Sequence, residues 1–317
     1  MNRAKLYGKD IIAGVLFFLS CLVYISCNNG VKSTAGAADS PTGGTINISV
    51  DESFRPVIEE HIKVYESSFP GTTIIAHYKP EADCFRDLVW DTATHLVIVT
   101  RGLNEKEEQF FKDSVHYVPG WNDVASDAIT IVVNAGSKDT LFTIDRLKKQ
   151  LTGELGKKQT LVFDGLNATS TVRYVVDSIL RGQRFDTSVV KAVRNSREVL
   201  DYVANNRDAI GFVGISWIGN PEDTAEVKLL KKVKIAYVRC DICPDSPYVK
   251  PNQYSILTNR YPLVRGLYYI LRENYSGLGS GFSGFLQYER GQLIFRRAYL
   301  GPKMGFALRE VRMKGKL

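Results

Sequence analysis

Residues 127–154 read DAITIVVNAGSKDTLFTIDRLKKQLTGE. Between Asp127 and Asn134 every letter is apolar or β-branched, which suits a buried strand. Residues 141–152 then space their apolar side chains as a helix does, and Gly153 ends it. The stretch stands at a break in the chain, because strand and helix alternate on both sides of it. Upstream, Ile46, Ile48 and Val50 share one face of a strand, and Asp51, Glu52 and Ser53 offer caps. Phe54, Val57, Ile58, Ile62, Tyr65 and Phe69 follow at helical spacing, with Pro56 in the first turn and Pro70 as the stop. Residues 72–78 predict a strand, 85–92 a short helix, 95–100 (HLVIVT) a buried strand and 105–112 a helix. Downstream, 160–164 predicts a strand, and a helix up to Leu180 buries Val172, Val175, Val176 and Ile179. Residues 196–205 read as a helix, 209–213 and 232–239 as strands, 262–272 as a strand turning into a helix, and 282–298 as one helix. Two rounds of alternation predict an α/β protein of two lobes. Ligands of such sheets sit beyond the carboxyl ends of strands. Three places then become candidates: residues 50–54, Thr100 with Arg101, and residues 167–171.

The composition is globular: of 317 residues, 44% are hydrophobic and 24% charged, so a sizeable core is affordable. The net charge of +7 comes from scattered bases mixed with acids, with no basic run among stacking aromatics, so no nucleic-acid partner is expected. The N-terminus is more telling. Arg3, Lys5 and Lys9 precede residues 11–26, which carry no charge and are short for a membrane span of roughly 20 residues. The run ends at Ile25, Ser26 and Cys27, then turns polar; it resembles a bacterial lipobox, with Tyr24 departing from the usual aliphatic residue. Residues 1–26 are therefore expected to be a lipoprotein signal peptide, Cys27 the lipidated residue, and 27–44, rich in small residues, a flexible tether. Removal of 1–26 leaves 38 bases against 33 acids. The expected location is the bacterial cell envelope, lipid-anchored and facing the periplasm or exterior. In that setting the sequon at Asn167 is a chance match.

Cys240 and Cys243 form a lone CxxC followed by Pro244 and Pro247. A redox pair normally opens a helix, and half a zinc site needs two more ligands, whereas the four His are dispersed. A local disulfide or two free thiols is the plainer reading, and no metal and no cofactor are expected. GSGFSG at 279–284 matches GxGxxG but follows no clear strand, and too little chain remains for a dinucleotide half-domain.

The order of segments resembles the phosphate-binding lipoproteins of phosphate ABC importers, class II periplasmic binding proteins. The residues that carry this are IVTRGLNEKE, the opening stretch 127–154, NATSTVRYVVD, DAIGFVG, YPLVRGLYYIL and GLGSGFSGFLQYERGQLIF. The resemblance covers most of residues 45–301. It implies a two-lobed α/β fold with mixed, mostly parallel sheets and a ligand cleft between lobes. Lobe 1 would comprise 45–126 plus 245–317, and lobe 2 would comprise 127–244. It also implies a monomer, not an enzyme, that captures inorganic phosphate or another oxyanion and delivers it to ABC importer permease subunits. The site residues it implies are Ser53, Phe54, Arg101, Thr169, Ser170 and Thr171, with Asp51, Thr100, Asn167 and Arg173 in weaker roles.

The chemistry suits those residue types. A compact anion needs backbone N–H groups, hydroxyls and a fork-shaped Arg. Three departures from the family pattern stand out. The first loop reads Val50, Asp51, Glu52, Ser53; Ser170 replaces a Gly; and residues 163–165 (FDG) stand where many relatives carry an Arg. Two rival readings follow: a surface lipoprotein that keeps the fold for protein interaction or sensing, and a phosphatase. No Ser is tied by motif to a His base, which weighs against the second.

Overall fold

Alternation of buried and exposed side chains makes the first strand. In β1 (Gly44–Asp51) Ile46, Ile48 and Val50 are buried, and a short 3-10 turn (Glu52–Phe54) leads into α1 (Arg55–Ser68). A computed structural model describes residues 39–305, apart from 157, 166–168 and 221–223. The expected leader, Cys27 as the expected lipid site, the first part of the expected tether and Asn167 lie outside these residues. Next come β2 (Thr72–Lys79), α2 (Glu81–Trp90), β3 (Thr94–Val99), α3 (Glu105–Val115) and β4 (Gly120–Asn134). β5 (Leu141–Phe142), α4 (Ile144–Leu151), β6 (Thr160–Phe163) and α5 (Ser170–Val175) follow. A π turn (Val176–Leu180) extends α5 and ends at Arg181, whose φ is 52°. Then come β7 (Val190–Ala192), α6 (Ser196–Asn205), β8 (Ala209–Gly214), α7 (Thr224–Leu230), β9 (Val233–Ile235), β10 (Tyr237–Arg239) and β11 (Tyr248–Val249). α8 (Gln253–Leu257), β12 (Val264–Leu271), α9 (Leu278–Gln287), α10 (Glu289–Arg297) and β13 (Gly301–Pro302) complete the described chain.

The main sheet runs in the order β2-β1-β3-β12-β4-β8-β6-β7, with β13 and β9 also pairing β4. Its flanks are parallel: β1 with β2 and β3, and β6 with β7 and β8. Its centre is antiparallel, because β12 pairs both β3 and β4, and β4 pairs β8. The result is a mixed, curled sheet with two lobes, the two-lobed periplasmic binding protein fold. β4, 15 residues long, belongs to both: residues 120–128 pair with β12 and residues 129–133 with β8. The expected lobe division at 126/127 therefore falls inside a strand rather than in a linker. By contacts, the residues from Asp39 on form one unit. Its largest apolar cluster runs from Ile48 and Phe54 through Ile129 to Phe163 and Phe212.

Several expectations change. The 262–272 segment holds the strand β12 and no helix, since it must fill the place between β3 and β4. The expected helix 282–298 is two helices, broken at Tyr288. The 279–284 glycines lie in α9, not in a nucleotide loop. The tether ends sooner than 44: Asp39 accepts hydrogen bonds from Leu278 N (2.6 Å) and Tyr275 OH (2.9 Å), and Tyr65 OH donates to Pro41 O. Cys240 and Cys243 are joined as a disulfide with Cα atoms 5.4 Å apart, whereas Cys84 is free and buried.

Candidate functional site: hydroxyls and a buried guanidinium at the seam

β1 ends at the seam between the lobes, where Asp51 caps the following turn by accepting Ser53 N (2.9 Å). From the other lobe comes the start of α5, capped by Thr169, whose hydroxyl accepts Val172 N (3.3 Å). β12 supplies Arg265, directly opposite Asp127 of β4 in the register. The three segments meet. Arg265 donates from Nε to Asp127 Oδ2 (2.8 Å), from Nη1 to Ser170 Oγ (2.8 Å) and from Nη2 to Ser53 Oγ (2.9 Å). The two serine oxygens are 3.4 Å apart. The Arg265 side chain is only 2% exposed and that of Asp127 is 0%. Gly214 lets β8 approach closely: a Cβ there would lie 3.2 Å from Ser53 O and 3.5 Å from Arg265 Nη2. Trp217 also reaches across, donating to Ser53 O (3.0 Å).

The other expected residues divide. Thr100 and Arg173 come together through Glu81, which accepts Thr100 N (2.9 Å) and Arg173 Nε (2.7 Å). Thr169 and Thr171 are buried, but both hydroxyls donate to Asp164, at 2.9 and 3.3 Å. Only Ser170 of the three faces the guanidinium. Phe54 is fully buried, its ring centroid 5.2 Å from the Arg265 guanidinium. Arg101 is engaged elsewhere: Glu107 takes it in a fork at 2.7 and 2.8 Å, and it stacks 3.9 Å over Phe85. Its hydrogen bonds are to its own half, and the guanidinium that meets Ser53 and Ser170 is that of Arg265. Sequence reading passed over this residue. The available signal was phase: Arg265 lies two residues from both Leu263 and Leu267, which are buried, so it points inward.

Burial sets the electrostatics. Asp51 is pushed up to about 6 by burial and by Glu81 nearby, against the pull of Arg265. Glu52 is pushed up to about 7 by burial, although it accepts Ser196 Oγ (2.8 Å) and Ser196 N. Asp127 and Asp164 are also raised by burial. Burial would raise Glu81 too, but the hydrogen bonds from Arg173 and Thr100 outweigh it and hold it low. Burial works against the Arg265 cation, yet Asp127 and Asp51 outweigh it and keep the proton on. Asp51 Oδ2 is buried with no hydrogen bond of normal geometry among the described residues. The seam is thus acid-rich, and a protonated ligand oxygen suits it better than a bare anion.

A hollow of about 180 Å³ opens beside this point, lined by Asp51, Glu52, Lys79, Asp164, Thr169 and Arg194, among others. It is well below the roughly 300–1,000 Å³ of sites for drug-sized ligands and suits a small ion. Two larger hollows, of about 720 and 490 Å³, lie against α10; Ser53, Ser170 and Arg265 line none of the three. Asp39, His95 and Glu273 bring three ligand atoms within 4.8 Å of one another. Their oxygens accept Leu278 N, Gly279 N and Ser280 N at the start of α9, so the group caps that helix.

No curated protein matches the chain. Solved structures share its fold. One from Clostridium perfringens, described as a phosphate ABC transporter substrate-binding protein with bound phosphate, is 18% identical with a TM-score of 0.65, covering 82% of this chain and 100% of its own. An ABC-type phosphate transport receptor from Vibrio cholerae is 17% identical with a TM-score of 0.58, covering 82% and 100%. A possible phosphate binding protein from Planctomyces limnophilus is 18% identical with a TM-score of 0.54, covering 82% and 93%. A family model for the PBP superfamily domain matches residues 35–289, some four-fifths of the sequence, and the chain therefore belongs to the PBP superfamily.

Proposed function

We propose that the protein is a solute-binding protein that captures inorganic phosphate or a similar oxyanion, held on the bacterial envelope by a lipid on Cys27. It hands the anion to the permease of an ABC importer. The observation that carries this is the meeting of Ser53 and Ser170, one from each lobe, on the fork of the buried Arg265. The neighbours that share the fold are described as phosphate-binding, which supports the choice of anion. A micromolar site needs roughly 8 kcal/mol. Charge-assisted hydrogen bonds contribute roughly 1.5–3 kcal/mol each, so one guanidinium and a few hydroxyl and N–H donors suffice. Asp51 Oδ2, buried without a hydrogen-bond partner among the described residues, is an acceptor that favours an oxyanion bringing a proton, hence phosphate over sulfate.

Calorimetry with phosphate, sulfate and molybdate tests the reading. Phosphate is expected to bind, sulfate to bind more weakly, and Ser170→Ala to weaken phosphate about tenfold, a loss near 1.4 kcal/mol. Equal affinity in Ser170→Ala and the parent would reject the seat. A second reading, a surface lipoprotein that uses the fold to hold another protein, has one observation in its favour. Thr169, Thr171 and Arg101 are already engaged by carboxylates of the chain itself. No heat with any oxyanion would favour it. Binding without chemistry is the expectation, and turnover of a generic phosphate ester that Ser170→Ala abolishes would overturn that.

A further inference from the structure

β1, β2 and β3 run parallel, and their carboxyl ends lead to the seam. Their amino ends make the opposite rim of lobe 1. β12 runs against them, so its end at Leu271 joins that rim, paired with Leu96 and with Gly120, where β4 begins. The loops there are tied together. Tyr117 OH donates to Glu273 O (2.7 Å), Arg272 to Asp91 O, and Tyr275 OH to Asp39 Oδ1 (2.9 Å). Asp39 is the first described residue, so the chain from the N-terminal segment arrives on this rim.

The same rim exposes large apolar side chains. Trp90, at the end of α2, is 74% exposed and meets the half-exposed Phe110 edge to face at 6.4 Å. Val115, closing α3, and Tyr275 are also exposed. A single exposed aromatic needs no explanation. A group of them at the arrival point of the chain does. Eleven residues, 28–38, separate Cys27 from Asp39. At most roughly 3.6 Å per residue, they hold Asp39 within about 40 Å of a lipid on Cys27. At that range a bilayer is a near neighbour at high effective concentration, so a weak contact is enough. Trp and Tyr rings favour the headgroup level of a membrane.

We propose that the rim carrying Trp90, Phe110, Val115 and Tyr275 rests in the headgroup layer of the bilayer, which is the second contact that a single lipidated terminus lacks; this rests on the anchor at Cys27 proposed above. The seam, at the other end of the same strands, stays in water. The test uses the full chain, purified in detergent and returned to vesicles of phosphatidylethanolamine and phosphatidylglycerol, with or without bromine on the acyl chains. Bromine is expected to quench tryptophan emission. In a Trp121→Phe background, which removes the other exposed tryptophan, the quenching is lost in Trp90→Phe and kept in Trp217→Phe, whose ring lies at the seam. The mass of the N-terminal peptide reports the lipid separately. Quenching without lipid on Cys27 upholds the rim and removes the anchor. Lipid on Cys27 with equal emission in both vesicles overturns the rim and leaves the anchor standing. Equal emission together with a Trp90→Ala variant that falls from two copies to one in light scattering overturns it in favour of a contact between copies.

Discussion

Arg265 shows how a single buried charge shapes this site. It is held by one carboxylate and two hydroxyls, with burial opposing its charge. Arg265→Ala leaves Asp127 buried and unpaired, and is expected to cost roughly 3–5 kcal/mol in denaturant unfolding. Replacing both partners, as Arg265→Met with Asp127→Leu, restores most of that stability but not anion binding. If the double variant still binds phosphate, the anion sits elsewhere. Glu52 gives a pH signature. Its folded value, about 7, lies above the usual 4.5, so the fold favours the protonated form. That contribution is complete below pH 4.5 and is lost as pH rises through 7. Glu52→Gln should therefore narrow the stability difference between pH 5 and pH 8 by about 2 kcal/mol and flatten the fall of phosphate affinity over the same interval. At this scale the sequence was only partly legible. Residue type and strand ends put Ser53 and Ser170 among the candidates, and the two meet on Arg265. Whether a hydroxyl faces a ligand or a neighbouring carboxylate depends on Asp164, whose inward direction no local pattern reveals.

Periodicity revealed most of the helices and strands, because each buries one face and the apolar spacing records which. It misled where a neighbouring segment decides. Residues 262–272 have a helical tail by composition, yet the gap between β3 and β4 takes a strand. Residues 282–298 carry apolar side chains on both sides of Tyr288, but the backbone turns there because α10 must fold back on α9. Gly291 permits this fold: a Cβ would come 2.2 Å from Phe285 O and 2.9 Å from Leu286 Cα. Helix propensity alone would make Gly291→Ala stabilising by about 1 kcal/mol. Contact with backbone reverses the sign, and a net loss of roughly 1–3 kcal/mol is expected in thermal or denaturant unfolding. A rise in stability would mean that the two helices can part without cost.

The two lobes are held at the seam by a few polar ties. Besides the Arg265 fork, Arg173 of α5 reaches Glu81 of α2, and Glu52 takes Ser196 of α6. Glu81 is almost fully buried, whereas Arg173 keeps about a third of its side chain in solvent. Losing Arg173 therefore strands a carboxylate. In Arg173→Ala, hydrogen exchange is expected to quicken at 81–100 and 170–175 while the β4–β12 ladder stays protected. Uniform acceleration would instead indicate global weakening. Two α/β lobes were legible at this scale in the alternation of strand and helix, and the fold in the family resemblance, whereas the antiparallel centre of the one continuous sheet was not. The division between lobes was not, since the expected boundary lies inside β4, where no change of composition marks it.

That shared strand couples the lobes in a way no hinge loop would. Side chains along a strand alternate in facing, so one inserted residue reverses every position after it. In β4 an insertion after Ser126 would carry Asp127 off the Arg265 side and invert the strand's register against β8, although no residue type had changed. The lobes thus share a parity. Across any lineage of this chain, β4 can change its letters but, from the bulge at Val124 onward, is expected to gain or lose residues only beyond its paired length.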